Sequence, residues 1–347
     1  MDFAFSEEQE MLRAAAREWL ADRYPADRVA TLADGDEGWD PGVWKELTEL
    51  GWLDPELDLL EQAVLAEEAG YALLPAPWFS SVALAGAAVG GPPSRPATLA
   101  WADDAARTLR EAANTVSCRA DDDVDGWRLT GVKRAVPDVG AAAIAVVAAR
   151  EHDRVTLFRV DLADHPEVVH PLSTVDRTRR LGELRLDGTP AERLDLDAGV
   201  ALRTVRRRAL ALLACEAAGL TQRALDLAVE HAKTRTQFER PIGSYQGVSH
   251  RLANVYTALA LARSLAYRAA WCVAEDDPAQ DEAVASAAVA AARAAVGGCE
   301  NAIQSMGGIG FTWDHPLHRY YKRAQWIASF DGSPSRHRAE LADLVLG

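Results

Sequence analysis

From Ser6 to about Ala88, apolar residues recur every three or four positions, the spacing of one face of a helix. A first amphipathic helix is predicted behind Ser6, whose hydroxyl can accept a backbone N–H as the N-cap. Its apolar face comprises Met11, Leu12, Ala15, Trp19 and Leu20. The same spacing predicts a second helix around Trp44–Trp52 and a third over Leu59–Ala69, closed by Gly70.

Between about Thr98 and Leu194 the pattern changes to short runs of residues that favour strands. These runs are Thr98–Trp101, Thr115–Arg119, Trp127–Thr130, Ala142–Ala148, Val155–Val160 and Leu184–Leu186. Turns rich in Asp and Gly separate several of them, and Asp125-Gly126 ahead of Trp127 is a hairpin signal. The region therefore predicts a small β barrel or sandwich.

Helical periodicity returns after Gly199 and continues to the end of the chain. Helices are predicted over Ala201–Lys233, Val248–Trp271, Asp281–Gln304 and His337–Leu346. Long helices joined by short links favour a bundle. The order of the regions predicts an α+β fold that is mainly helical: an N-terminal helical domain at residues 1–90, a middle β domain at 91–198 and a C-terminal helical bundle at 199–347.

Composition narrows the functional class. The 347 residues include 37 Lys and Arg against 52 Asp and Glu, a formal net charge of −15, which argues against nucleic acid as a partner. The four cysteines show no CxxC spacing, and His315 and His318 have no third ligand at metal spacing, so no metal site is predicted. The N-terminus lacks a signal-peptide pattern and no uninterrupted apolar run reaches membrane-spanning length, which favours a cytoplasmic protein that binds no membrane.

Three short segments carry the candidate chemistry. They are Arg235–Ile242 at the end of a long helix, Gln304–Phe311 at the end of another, and Phe330–Ser333 near the C-terminus. A guanidinium at Arg235 can bind two phosphate oxygens, and glycines let a backbone approach a pyrophosphate. The structural alternatives are a solvated arginine at a helix end, a glycine C-cap, and an acidic residue, Asp331, that caps the final helix.

In this order the three segments resemble those of the acyl-CoA dehydrogenases. Further matching fragments are Leu50–Trp52, Glu68–Gly70, Leu129–Lys133 and Gly219–Leu225, so the resemblance covers nearly the whole chain. It implies a fold with an N-terminal helical domain, a middle β domain and a C-terminal four-helix bundle. It also implies an enzyme that binds FAD and dehydrogenates an acyl-CoA thioester to a trans-2-enoyl-CoA.

The resemblance implies roles for single residues. The FAD site would comprise Arg235, Gln237, Phe238, Gln246, Gln304, Gly307 and Gly308. In the family the arginine contacts the FAD of a neighbouring subunit and the glycine segment touches the same FAD from the other subunit, which implies an oligomer. Asp331 stands where the family usually has the glutamate that removes the α-proton, and its carboxylate is one methylene, about 1.5 Å, shorter. The amide of the same residue would hold the thioester carbonyl.

A second carboxylate is a rival for the base. Some relatives carry the base on the helix that begins near Ala201, at a position that aligns here with Ala209 or Leu210, neither of which can accept a proton. Glu216 lies two turns further on, on nearly the same face, and would be costly to bury without a partner. We expect Glu216 to belong to a buried ion pair, with a role as base as the alternative.

Two departures from the family pattern bear on the function. A Thr-Glu…Gly-Ser-Asp loop is absent around Asn114–Ser117, and the strand that carries the flavin-covering tryptophan has Lys133–Val136 instead. The segment Thr312–His318 resembles the subgroup in which two unlike subunits form α2β2 tetramers, notably for steroid side-chain acyl-CoAs. The two departures, together with the resemblance to this subgroup, are typical of a subunit whose flavin site is incomplete without its partner.

The resemblance predicts several partners: an acyl-CoA substrate, an electron-transfer flavoprotein as electron acceptor, and either identical chains or a second acyl-CoA dehydrogenase-like subunit in an α2β2 assembly. Two alternative functions stay open. One is a non-catalytic subunit that completes a flavin site on another polypeptide. The other is a flavin monooxygenase on the same fold, against which the carboxylate retained at Asp331 counts.

Overall fold

Eleven α-helices, one π-helical segment and nine strands occupy residues 5–124 and 126–347, the part of the chain that this computed structural model describes. The chain forms two units. The helical unit comprises Met1–Thr31, Asp58–Leu74 and Leu210–Gly347, and the barrel unit comprises Leu32–Leu57 and Pro75–Ala209.

The helices are α1 Glu7–Arg23, α2 Ala26–Asp34, α3 Val43–Glu49, α4 Leu59–Ala72, α5 Ala87–Val89, α6 Leu109–Ala112, α7 Ala198–Thr234, α8 Gln246–Ala274, α9 Gln280–Met306, α10 Leu317–Ser329 and α11 Pro334–Leu346. The π-helical segment is Ser80–Gly86. The strands are β1 Ala97–Ala100, β2 Arg119–Asp123, β3 Gly126–Pro137, β4 Ile144–Glu151, β5 Arg154–Asp161, β6 Val169–Pro171, β7 Leu181–Arg193, β8 Thr236–Gln237 and β9 Arg240–Pro241.

Five strands of the barrel unit close on themselves. Their order is β4-β2-β3-β7-β5, and β5 pairs again with β4, while β1 and β6 add to β4 and β7. Alternate residues of β4, such as Ala145, Val147 and Ala149, face a core that also contains Leu129 and Phe158. The middle domain is therefore a small barrel, the first of the two architectures that the alternation allowed.

Glu151, at the end of β4, is a buried carboxylate with three hydrogen-bond donors. Thr156 Oγ1 donates to it at 2.7 Å, Arg193 Nε at 3.0 Å and Arg154 Nη2 at 3.1 Å. Burial by itself would raise the pKa of Glu151, but these hydrogen bonds outweigh it and lower the pKa to about 2. The ionised form of Glu151 thus stabilises the barrel unit.

Replacing Glu151 by glutamine is expected to lower the free energy of unfolding at pH 7 by about 1–3 kcal/mol. Because the folded-state pKa lies below the ordinary value of 4.5, the wild-type advantage is complete above pH 4.5 and shrinks as the pH falls toward 2. Urea denaturation at several pH values measures this. Glu192→Gln, which removes an exposed carboxylate from β7, is the control, and an equal effect of both variants would contradict the assignment.

Helices α4 and α7 of the helical unit approach closely where each carries a glycine. A Cβ added to Gly70 would overlap the carbonyl oxygen of Glu216, and one added to Gly219 would overlap that of Glu67. Because α4 runs to Ala72, Gly70 lies inside this helix, and the prediction that Gly70 closes it is wrong. The helix continues to Ala72 and is capped by Leu73 at φ 54.

Gly219→Ala is expected to lower the free energy of unfolding by about 1–3 kcal/mol, because two packed backbones must separate to admit one methyl group. Gly297→Ala is the matched control, since Gly297 lies in α9 with no atom within 4 Å of the added Cβ. Its helix propensity should raise stability by up to about 1 kcal/mol. Chemical denaturation of both variants measures the difference, and similar values would count against close packing at Gly219.

Several element boundaries differ from prediction, and four helices, α2, α5, α6 and α10, were not predicted. In α10 the buried residues Leu317, Tyr320, Ala324 and Ile327 recur at three- and four-residue spacing, a helical pattern that the sequence analysis missed, and Arg323 is buried among them. Helix α2 is short and offers few buried apolar residues for a pattern. The run predicted at Thr115–Arg119 forms a strand only from Arg119 onward, and Asp125 of the predicted hairpin turn lies outside the described residues.

Among the described residues, Gln280–Phe311 is the one helical stretch long and apolar enough to cross a membrane. It contains α9, whose apolar side chains instead pack against α8, α10 and α11 within the helical unit. Buried alanines dominate this face, which allows the helices to approach closely.

Candidate functional site

Asp331 lies in the link between α10 and α11. Its backbone has φ 54, and Gly332 follows at φ 135, so the chain makes a sharp turn at this carboxylate. Aspartate tolerates the left-handed region better than most residues. The residue is 6% exposed. A buried carboxylate in an unusual backbone conformation is a feature that clusters at functional sites.

The capping role that the sequence allowed for Asp331 belongs to another residue. Ser333 is the N-cap of α11, where its Oγ accepts the N–H of Arg336 at 3.2 Å, and Pro334 occupies the first turn. Asp331 precedes the cap by two positions. The capping alternative is therefore wrong, because the next hydroxyl takes that role.

The peptide group that joins Phe330 to Asp331 is held by a histidine of α11. Nε2 of His337 lies 3.1 Å from the carbonyl oxygen of Phe330, and the imidazole is buried. His337 was not identified from the sequence. The sequence did offer a signal: His337 lies one turn into the helix that follows the candidate base.

Glu216 forms the predicted buried ion pair. Its Oε1 lies 2.6 Å from Nη1 of Arg323, and both side chains are almost fully buried. The pair joins α7 to α10, the helix that leads into the Asp331 link. A carboxylate bound this closely by a guanidinium is already engaged in an ion pair, so the geometry favours the structural role of Glu216 over that of a base.

The arginine segment forms a small exposed turn at the end of α7. Strands β8 and β9 pair through Gln237 and Arg240, and the hydroxyl of Tyr245 donates to the carbonyl oxygen of Gln237 at 3.2 Å. Arg235 is exposed, and Phe238 is 88% exposed with φ 52. The turn thus presents a cation beside an aromatic ring on the protein surface.

The glycine segment ends α9 in a similar manner. Gln304 and Gly308 are exposed, and Gly307 has φ 64, with no atom within 4 Å of an added Cβ. Phe311 and Trp313 beyond it are each 69% exposed. Large exposed apolar side chains in one stretch are uncommon on a monomer and mark a surface that binds something.

The charges that act on two histidines indicate that the arginine segment and the glycine segment lie near each other in the helical unit. Partial burial, followed by the charge of Arg235, lowers the pKa of His231 at the end of α7. Burial, followed by the charge of His231, lowers the pKa of His315, which follows the glycine segment. No hydrogen bond among the described residues joins the seven predicted FAD ligands across the two segments.

The strand expected to cover a flavin ring has an unusual course in the barrel unit. The pairing of β3 with β7 shifts between Lys133 and Val136, and Ala135 between them has φ 50. The side chain of Lys133 is fully buried and donates to Asp103 at 2.7 Å. Burial would raise the pKa of Asp103, but the charge and hydrogen bond of Lys133 lower it.

Asp103 also fixes the start of β2, because its Oδ2 accepts the backbone N–H of Ser117 at 2.8 Å and that of Cys118 at 3.2 Å. The buried pair of Lys133 and Asp103 was not predicted from the sequence. It anchors β3 directly before the bulge, so the segment is rigidly held although it offers no aromatic side chain.

The described residues fit the dinucleotide end of FAD. Arg235 supplies an exposed guanidinium, Phe238 an apolar wall, and Gly307 an open backbone with positive φ that leaves room for a phosphate. The segment Lys133–Val136, where the family pattern has a flavin-covering tryptophan, contains no aromatic side chain.

Two of the larger cavities lie within single units and do not contain Asp331. One of about 680 Å³ in the barrel unit is lined by residues that include Trp39, Arg177 and Arg180. The other, of about 650 Å³, lies beside α9 and is lined by Gly332 and Ser333 among others. Among the described residues no group of three or more His, Cys, Asp or Glu could hold a metal ion.

Comparison with known proteins identifies the family of the chain. Residues 6–90 match the family model of the acyl-CoA dehydrogenase N-terminal domain, and residues 201–346 match that of the C-terminal domain. The acyl-CoA dehydrogenase IpdE2 of Mycobacterium tuberculosis is 32% identical over 94% of this chain and 94% of its own length.

Solved structures show the same relationship. A variant of the Tcur3481-Tcur3483 steroid ACAD superposes with a TM-score of 0.85 at 30% identity, covering 98% of each chain. The ChsE4-ChsE5 complex from Mycobacterium tuberculosis gives a TM-score of 0.85 at 25% identity, covering 100% of this chain and 99% of that one. The chain is therefore a member of the acyl-CoA dehydrogenase family, whose enzymes depend on FAD.

Proposed function

We propose that this chain catalyses the α,β-dehydrogenation of an acyl-CoA thioester to a trans-2-enoyl-CoA, with Asp331 as the base. The observation that carries the proposal is the placement of Asp331, a buried carboxylate at a sharp backbone turn between α10 and α11. In the reaction the Asp331 carboxylate takes the α-proton, and the carbon–carbon double bond forms as a hydride leaves the β-carbon. FAD, when bound, supplies the acceptor for that hydride.

The backbone of Asp331 has a second proposed role. Its N–H would donate to the thioester carbonyl, where negative charge develops as the α-proton departs. One residue would then supply both the base and a donor for the developing charge. Because aspartate is one methylene shorter than glutamate, the substrate must lie closer to the backbone of Asp331, or this backbone closer to the substrate. The left-handed conformation of Asp331 sets the position of its carboxylate.

The proposed FAD ligands are Arg235, Gln237, Phe238, Gln246, Gln304, Gly307 and Gly308. Their exposure supports a site that is completed by another chain, either an identical one or an acyl-CoA dehydrogenase-like partner in an α2β2 assembly. We propose an electron-transfer flavoprotein as the electron acceptor and the cytoplasm as the location. The proposed domains are residues 1–90, 91–198 and 199–347.

A second candidate function is supported by the segment Lys133–Val136. Because it offers no aromatic side chain to a flavin ring, the chain could serve as a subunit that completes the flavin site of a partner and performs no chemistry itself. The flavin monooxygenase alternative has less support, since a monooxygenase needs no base at Asp331.

The test is the flavin absorbance of the chain purified alone and with any subunit that co-purifies, followed by anaerobic titration with short-chain and steroid-type acyl-CoAs. Bound FAD that bleaches, with an enoyl-CoA as product, supports the proposed reaction. A chain that stays colourless after added FAD, alone and with its partner, excludes it. Turnover that requires dissolved oxygen would favour the monooxygenase.

A further inference from the structure

His337 makes a contact with the peptide group that precedes Asp331. Its Nε2 lies 3.1 Å from the carbonyl oxygen of Phe330, and the residue is 3% exposed. The two residues lie on either side of the link, Phe330 at the end of α10 and His337 one turn into α11. The contact therefore closes the link that contains Asp331.

The partner of Nε2 determines which ring nitrogen of His337 donates a hydrogen bond. A carbonyl oxygen can only accept, so Nε2 of His337 must carry the proton. The other nitrogen, Nδ1, is buried and has no hydrogen-bond partner among the described residues. A proton on Nδ1 would leave a buried donor unsatisfied, so the geometry places the hydrogen-bonding proton on Nε2.

This hydrogen bond acts on the N–H of Asp331. The carbonyl of Phe330 and the N–H of Asp331 belong to one planar peptide group, and no described peptide bond is cis. In a trans peptide the C=O and N–H point in opposite directions, so the donor that fixes the carbonyl also fixes the N–H. A hydrogen bond to the carbonyl also polarises the group and strengthens the N–H as a donor.

We infer that His337 is a positioning residue, which orients the Asp331 N–H toward the thioester carbonyl and strengthens it as a donor in the transition state. The inference rests on the proposed function, because it assigns to the Asp331 amide the role described above. His337 itself touches neither the substrate nor the cofactor in this account. It acts through the Phe330–Asp331 peptide.

Two variants separate this role from simple packing. His337→Gln keeps a side-chain N–H near the position of Nε2, whereas His337→Met fills similar space without a donor. With the holoprotein and its partner, His337→Met is expected to lower kcat by about tenfold to a hundredfold, with KM little changed, since misorientation of a catalytic group has costs of that size. His337→Gln is expected to retain most of the wild-type kcat.

A second readout does not depend on turnover. A 3-oxoacyl-CoA has an acidic α-proton, and its bound enolate fraction can be measured by ultraviolet absorbance. The wild type and His337→Gln should stabilise the enolate, and His337→Met should lower the enolate fraction about tenfold or more. Nitrogen NMR of labelled histidine should show the Nε2–H tautomer at His337 in the wild type.

The outcomes separate the two proposals. If the wild type ionises the 3-oxoacyl-CoA and His337→Met does so equally, the role of His337 is overturned while the proposed function stands. The same conclusion follows if both variants lose kcat equally, or if NMR finds the proton on Nδ1. If the wild type neither ionises the analogue nor dehydrogenates any acyl-CoA, the proposed function fails and the role of His337 fails with it.

Discussion

Replacing Asp331 by asparagine is expected to slow the reduction of bound flavin by an acyl-CoA by about a hundredfold to ten-thousandfold, the range for removal of a general base. Asparagine has nearly the same volume and tolerates the same left-handed backbone, so the turn at φ 54 should persist. What is lost is the carboxylate that accepts the α-proton. Anaerobic stopped-flow absorbance of the holoprotein measures the rate.

Asp343→Asn is the matched control, because Asp343 is an exposed aspartate on α11 and should give the wild-type rate. Denaturation curves should show that Asp331→Asn remains folded. A variant that reduces flavin at the wild-type rate would remove Asp331 from the mechanism. It would direct attention to a partner subunit as the source of the base.

Glu216→Gln is expected to lower the free energy of unfolding by about 3–5 kcal/mol, the cost of breaking a buried ion pair by removing one of its two charges. The side chain of Arg323 is 1% exposed and lies 2.6 Å from Glu216, so water cannot replace the lost carboxylate. Thermal or urea unfolding measures the loss. Because α10 leads into the Asp331 link, a secondary fall in activity is expected to accompany it.

The double variant Glu216→Leu with Arg323→Met distinguishes an ion pair from a base. Removal of both charges should restore most of the lost stability, as happens when buried pairs are replaced by apolar residues of similar volume. Activity should return with it. A double variant that is stable yet fails to take the α-proton would instead assign the base to Glu216.

Each of the three segments that suggested the family is a continuous stretch of the chain. The sequence was therefore sufficient to find them. Each segment contains residues whose chemistry can be recognised without the structure. The first has a guanidinium, the second a pair of glycines, and the third a carboxylate before Gly332. The turn at Asp331 could not be predicted, because aspartate adopts both negative and positive φ angles. Its backbone conformation is decided by the helices on either side.

The buried ion pairs show where prediction from sequence stopped. A carboxylate among alanines and Cys215 predicted that Glu216 needs a partner, but the partner, Arg323, is 107 residues away and lies in a helix that was not predicted. Lys133 and Asp103 are 30 residues apart and appear in the sequence as ordinary surface charges. In both cases the pairing depends on how strands or helices meet, which local patterns do not encode.

Periodicity, composition and contiguous motifs predicted the mainly helical fold, the central β region, the family and the candidate base, because each is a property of neighbouring residues. Closure of the sheet through β4 and β5, the glycine contact between α4 and α7, and the contact of His337 with Phe330 required the folded chain. They join residues brought together only by packing, and the free energy of such contacts depends on distances that no single segment specifies.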